Sequence, residues 1–396
     1  MSFLLSSQNL FAYLSEKNLV DRDNYDPTNI ELKLAKNFNL LLTLKSGKKL
    51  LIKQERHNKA GKTAGEFLHE WRMQELLDRF PEITSIRHLF PEVLHFDRDN
   101  SIIVFNYLDD YRDLVDFYNK EQIYPVTIAN DLGAALAKIH RLTLDKLDCR
   151  YFLNSLEVTP KESEWETPVY LRGIDRITPE VFGIFPADGL KFLALYQRYD
   201  SLGKAIASLI ASYQPCCLTH NDLKLNNLLL HNDWEQRILD SQNILRFIDW
   251  ERSGWGDPAF DLGTLVASYV QIWLGSLVVS KEMSIEDSLR MAMTPLELLQ
   301  PSLGALMSAY LGEFPQILES QPTFLQRVVQ FAGLALIHQI QAMLQYQKVF
   351  NNTGICMLQV AKSFLCRPQA SIPTIFGQSE AQLINSSGSS RVTMTI

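Results

Sequence analysis

The sequence predicts an α+β chain: a small antiparallel sheet with one helix, followed by a larger and mainly helical part. Three observations carry this. Residues 30–108 hold short apolar runs broken by turn residues, the pattern of hairpin strands. From residue 128 onward apolar residues recur mostly at helical spacing. Within the second regime lies Leu218–Asn227, Leu-Thr-His-Asn-Asp-Leu-Lys-Leu-Asn-Asn, flanked by the apolar runs Pro215–Leu218 and Leu228–Leu230. That stretch reads as strand, polar turn, strand.

Taken in order, Leu10, Phe11, Tyr13 and Leu14 mark one face of a short amphipathic helix in an N-terminal extension, residues 1–29. The extension lacks the basic region of a secretory signal, and acidic residues arrive by Glu16. Ile30–Leu34 is a strand. Phe38–Leu44 and Lys49–Lys53 form a hairpin around Ser46-Gly47. Gly65–Leu77 is dense in helix formers. Leu89–Phe96 and Ser101–Leu108 are two more strands around an Asp-Arg-Asp-Asn turn. Ile128–Leu142 is a helix with Leu132, Leu136, Ile139 and His140 on one stripe, His140 being read as a core-edge residue with a structural hydrogen bond. Further helices are expected at 189–213, 286–293, 301–311 and 324–350, and a flexible Ser- and Gln-rich tail from Arg367.

Composition narrows the function classes. With 46% hydrophobic and 21% charged residues the 396-residue chain is an ordinary globular protein. A formal net charge of −7 without a Lys/Arg cluster argues against nucleic acid as a partner. The five scattered cysteines have no zinc-site spacing and fit a reducing cytoplasm. Leu262–Ser280 carries no formal charge over nearly the length of a membrane span, but its Thr, Ser and Gln residues favour a buried core helix, so no membrane partner is expected.

The polar turn carries the chemistry. Phosphoryl transfer from ATP needs a carboxylate to orient the attacking hydroxyl and accept its proton, and an amide oxygen a few residues on to hold a metal at the phosphates. Asp222 and Asn227 have this spacing, the pattern of a kinase catalytic loop. An Asn/Asp-rich hairpin turn is the plain alternative. Downstream, Phe247-Ile248-Asp249-Trp250-Glu251 ends an apolar run on a carboxylate, and Gly256-Asp257-Pro258-Ala259-Phe260-Asp261-Leu262-Gly263 follows.

With these three segments in this order, the sequence resembles the aminoglycoside phosphotransferase and choline kinase superfamily, small-molecule relatives of protein kinases. The resemblance implies a bilobal protein-kinase-like fold, with residues 30–108 as N-lobe, 109–366 as C-lobe, a substrate-binding insertion around 148–185 and a tail at 367–396. It implies ATP and Mg²⁺ as cofactors and a small-molecule hydroxyl as acceptor. Asp222 would act as base and Lys224 would stabilise the transferring phosphoryl group. Asn227 and Asp249 would hold Mg²⁺. Lys53, at the end of the strand Leu50–Gln54, would grip the phosphates, braced by Glu70 with Glu66 as second choice. Backbone groups of Asn106, Tyr107 and Leu108 would read adenine at the hinge. His220 and Asp261 would support the loop, and Glu251 and Asp257 are candidates for binding a cationic acceptor.

One departure is visible. The turn expected over the phosphates, Leu34-Ala35-Lys36-Asn37-Phe38-Asn39, has no glycine, although glycine lets backbone amides approach an anion. Asn37, which tolerates left-handed backbone, is expected to shape it and Lys36 to add charge. A protein kinase is excluded because Asp249 to Asp261 leaves no room for an activation loop, and no Ala-Pro-Glu follows. Two alternatives stay open: a peptide or protein-bound hydroxyl as acceptor, or a catalytically weak nucleotide-binding module.

Overall fold

A computed structural model of the chain describes residues 3–33, 35–58, 61–155, 187–278 and 283–389. It comprises two compact units, Met1–Asn119 with Asn226–Ser253, and Lys120–Leu225 with Gly254–Ile396.

The first unit is built on a five-stranded antiparallel sheet: β1 (Ile30–Lys33), β2 (Phe38–Thr43), β3 (Lys49–Gln54), β4 (Val93–Asp97) and β5 (Ile102–Asn106), in the order β1-β2-β3-β5-β4. Side chains alternate across a strand, so central β3 sends Leu50, Ile52 and Gln54 to one face and Leu51 and Lys53 to the other. The first face packs against Leu5, Leu10, Tyr13, Leu14 and Val20 from the N-terminal segment and its helix α1 (Leu10–Glu16). Buried Gln54 accepts the Leu5 N–H at 2.8 Å and donates to the Phe3 carbonyl at 2.8 Å. The segment 3–20 is therefore packed into the sheet's core. On the second face Phe67 of α2 (Glu66–Arg79) packs on Ile103 and Phe105, which turns Lys53 toward α2.

Two expectations change here. Pro81–Leu89 is a 3₁₀ helix and β4 starts only at Val93; Pro91 has no N–H to give a ladder. None of Ala35, Lys36 and Asn37 has a positive φ, so Asn37 does not shape its turn through left-handed backbone. The unit is completed by α3 (Leu114–Glu121), α8 (Trp234–Leu239) and a second antiparallel sheet, β6 (Tyr111–Asp113), β8 (Leu228–His231) and β9 (Leu245–Phe247), in the order β6-β8-β9.

In the second unit β7 (Cys217–Thr219) pairs antiparallel with β10 (Gly254–Gly256). The strands flanking the 218–230 turn thus belong to different sheets, and the hairpin reading falls. Helix α4 (Val126–Thr143) crosses α11 (Leu296–Glu313) so closely that a Cβ on Gly133 would lie 2.2 Å from the Leu306 carbonyl oxygen. Helix α9 (Pro258–Gly275) crosses α13 (Phe324–Tyr346) in the same way, Gly263 meeting Phe331. As far as Gly275 the uncharged run after Leu262 lies in α9, buried along most of its length. Among the described residues no helix is long and apolar enough to cross a membrane.

Asp257 caps α9 by accepting the Ala259 N–H at 3.0 Å; its other oxygen accepts the Gln214 N–H at 2.8 Å and pairs with Arg327. Asp257 is 0% exposed, so it is a structural anchor and not an acceptor-binding group. The expected helix 189–213 is two, α6 (Ala187–Gln197) and α7 (Asp200–Ala211). The remaining helices are α5 (Leu147–Asn154), α10 (Ile285–Arg290), α12 (Gln316–Ser320), α14 (Asn352–Cys366), α15 (Pro368–Phe376) and α16 (Glu380–Ser389). The last two replace the expected flexible tail up to Ser389: Ile372, Ile375, Phe376 and Leu383 are all buried at helical spacing. Beyond α5, the expected substrate-binding insertion at 148–185 lies largely outside the described residues.

Candidate active site

A cavity of about 380 Å³ in the first unit is lined by Lys53, Glu70, Asn106, Tyr107, Leu108 and Asp249. These six were picked from sequence, and the sheet explains their meeting. Strand alternation turns Lys53 toward α2, where Glu70 lies one helical turn from Phe67. β5 ends at Asn106 and leads directly into Tyr107 and Leu108. β8 and β9 contribute Leu229 and the Ile248–Asp249 step to the lining. Phe105, Arg112 and Asp113 also line the cavity and went unpicked, since nothing in an isolated side chain at those positions marks a site.

The polar groups are ordered by burial and charge. Lys53 Nζ lies 2.9 Å from Asp249 Oδ1 and 5.1 Å from the Phe105 ring centroid. Burial alone would lower the Lys53 pKa, but Asp249 and Glu70 outweigh it and hold the ammonium charged. Glu70 was expected to brace Lys53. The ammonium bonds Asp249, and Glu70, 2% exposed, acts on it through its charge. Its carboxyl is pushed up to about 7 by burial, and by Asp249 and Glu251, against the pull of Lys53. Glu66 pairs with Lys36 instead. Glu251 is also shifted upward, by burial first and then by Glu66.

Asp249 has φ 60° and ψ 57°, left-handed backbone that Asp tolerates better than most residues. It opens a 3₁₀ turn, Trp250–Arg252, pinned by buried Trp250, whose indole donates to the Phe247 carbonyl at 2.8 Å and stacks on Phe90 at 4.3 Å. The Ile248 N–H donates to the Asn227 carbonyl at 2.9 Å. The ends of β8 and β9 thereby set Asn227, which carries an amide oxygen, against Ile248, the chain neighbour of Asp249 and its carboxylate. Both are hard oxygen donors. Among the described residues no group of three or more His, Cys, Asp or Glu could hold a metal by itself.

The second unit holds the rest of the predicted set. Asp261 is 0% exposed and accepts the backbone N–H groups of His220 at 2.6 Å and Asn221 at 2.8 Å, one on each carboxylate oxygen. Its Oδ2 also lies 3.3 Å from His140 Nε2, and His140 Nδ1 lies 2.8 Å from Tyr310 Oη. Thr143, on the same helix as His140, accepts the Leu218 N–H at 3.0 Å. Asn221 sits at φ 62° and accepts the Thr219 hydroxyl at 2.8 Å. So helices α4, α9 and α11 clamp the loop from beneath, while Asp222 and Lys224 stay at its accessible surface, paired at 2.6 Å. His220 is buried. Tyr310 escaped the sequence reading because its role depends on a contact 170 positions away.

The comparisons with known proteins agree with this architecture. The curated protein LicA of Haemophilus influenzae is 34% identical over 76 residues, 19% of this chain and 22% of that protein, so the chain spans about a fifth of that relative's length. Among solved structures, an ethanolamine kinase of Plasmodium vivax superposes with a TM-score of 0.53 at 14% identity, covering 90% of this chain and 89% of that one. A likeness at that identity shows the fold, which is kinase-like. The family model described as the phosphotransferase enzyme family matches residues 56–282, more than half of the sequence. The chain belongs to the phosphotransferase enzyme family.

Proposed function

We propose that the chain is an ATP- and Mg²⁺-dependent phosphotransferase that moves the γ-phosphoryl group of ATP to a hydroxyl of a small aminoglycoside-, choline- or sugar-like acceptor. The observation that carries this is the single cavity in which Lys53, Glu70 and Asp249 meet the Asn106–Leu108 segment. A cation, two carboxylates and a run of backbone polar groups in one half-apolar pocket suit a nucleotide.

The backbone of that segment favours adenine. The Asn106 and Tyr107 N–H groups are already donated, to the Glu92 and Lys49 carbonyls at 3.0 Å each. Among the described residues the Leu108 N–H has no acceptor in the chain, so it can donate to the base. An adenine ring nitrogen accepts such a bond, whereas the matching guanine nitrogen carries a proton. Lys53 would hold the phosphates and Glu70 keep the surrounding charge near balance. Asn227 and Asp249 would hold Mg²⁺, which would neutralise charge on the phosphate oxygens; two protein oxygens suit a cation that takes its other ligands from phosphate and water. Asp222 would orient the acceptor hydroxyl and take its proton, and Lys224 would stabilise charge on the transferring group. Asp261 and His220 would keep the loop backbone in place.

The test is ADP release on a panel of hydroxyl acceptors, for the wild type and Asp222→Asn. The solved relative is named as an ethanolamine kinase, so alkanolamines head the panel, followed by aminoglycosides and sugars. Acceptor-dependent ADP release that falls at least about a hundredfold in Asp222→Asn is the expected result. Release that ignores the acceptor, or survives the substitution, contradicts it.

A further inference from the structure

The described residues of the β1–β2 turn have neither the residue types nor the backbone of a phosphate-cradling loop. The turn contains no glycine, and none of Ala35, Lys36 and Asn37 has a positive φ. A concave nest of amides needs an alternation of right- and left-handed residues, so the described residues of this turn have no such nest to offer a phosphate. What they offer is one ammonium group. Lys36 pairs with Glu66, the first residue of α2, and its Nζ lies 3.9 Å from Glu251 Oε1. Glu251 is two residues beyond Asp249, the partner of Lys53. Glu251 is acted on by the charges of Lys36, Asp249 and Lys53 alike, so Lys36 lies toward the side of the site where Lys53 and Asp249 meet.

We propose that Lys36 is the phosphate-binding group of the β1–β2 turn, exchanging between the Glu66 carboxylate and the terminal phosphates of the nucleotide. The assignment rests on the reading of this cavity as the nucleotide site. The energetics favour exchange. The Lys36 side chain is 63% exposed, and an ion pair that open to water is weak and easily given up. A phosphate carries more charge and more acceptor oxygens, and a hydrogen bond between two ions is among the stronger ones. The long lysine stem lets the ammonium move between the two anions while the turn stays put. Lys36 thus supplies by side chain what a glycine-rich turn supplies by backbone, and Glu66 competes for it.

That competition gives the test a sign. Binding of ATP with Mg²⁺, ADP and adenosine is measured by calorimetry for wild type, Lys36→Ala, Lys36→Arg and Glu66→Gln. Lys36→Ala is expected to weaken ATP and ADP about tenfold and leave adenosine unchanged, and Lys36→Arg to restore most of the loss. Glu66→Gln is expected to tighten ATP about two- to threefold, because it frees the lysine from its competitor. A Lys36→Ala protein with wild-type ATP affinity overturns the assignment. So does Glu66→Gln weakening ATP as Lys36→Ala does, which would make the pair a tether for the turn. A wild type that binds neither ATP nor adenosine refutes the nucleotide site itself, and this assignment falls with it.

Discussion

Asp249 and Asp261 lie within one short stretch of sequence, yet the two units use them in opposite ways. Asp249 stands on a left-handed turn in the first unit, its side chain 39% exposed and facing a cavity, with Lys53 on one oxygen. Asp261 is enclosed in the second unit, both oxygens committed to backbone N–H groups and His140 beside one of them. The same functional group is available to a ligand in one place and consumed by the fold in the other. The lesson is that a carboxylate's accessibility and remaining hydrogen-bonding capacity, more than its motif, separate chemistry from scaffolding.

The largest effect should come from breaking the scaffold. Asp261→Ala leaves two buried N–H groups and His140 without their acceptor, and should cost about 3 kcal/mol of unfolding free energy in a denaturant titration. Asp249→Asn should change stability by less than about 1 kcal/mol, because its pair is partly exposed and Asn accepts left-handed backbone. If the two variants lose stability equally, the contrast between the two residues is void. Next in size is the activity of Lys53→Met, expected to fall about a hundredfold in kcat/KM at nearly unchanged melting temperature.

Tyr310→Phe sharpens the scaffold side. It removes one hydrogen bond to His140 and should cost about 1 kcal/mol, with a loss of activity no more than severalfold; a larger loss in kcat would place Tyr310 closer to the chemistry than its position suggests. The smallest effect belongs to acid. Burial would raise the Asp97 pKa, but bonds from Asn100 and Tyr13 and the charge of Lys17 hold it below the ordinary carboxylate range. A depressed pKa adds stability above the unfolded value and loses it as pH falls through the folded one. Asp97→Asn should therefore flatten the acid limb of the stability curve below about pH 4 and leave its slope near neutrality unchanged.

Much of this was legible in the sequence because it is local. The two-residue alternation of Leu50–Gln54 and its lysine, the helix at Glu66–Arg79 and the Asp-Asn spacing of the loop are all set by nearest neighbours. What escaped was decided at long range. The pairing of β7 with β10 instead of β8, the bond of Lys53 to Asp249, and the Tyr310–His140 contact depend on partners distant in sequence. The tail is a different case. Ile372, Ile375, Phe376 and Leu383 carry a helical spacing that its Ser- and Gln-rich surface concealed. Asp257 was misjudged because a buried arginine, Arg327, claims it.

The most direct measurement is the shift in melting temperature on adding ATP with Mg²⁺, compared between wild type and Asp249→Asn. A metal-dependent rise of several degrees is expected in the wild type, largely lost in the variant although both proteins melt at similar temperatures without nucleotide. Equal shifts in the two proteins, or no shift in the wild type at millimolar nucleotide, would contradict the claim that Asp249 and its cavity form the nucleotide and metal site.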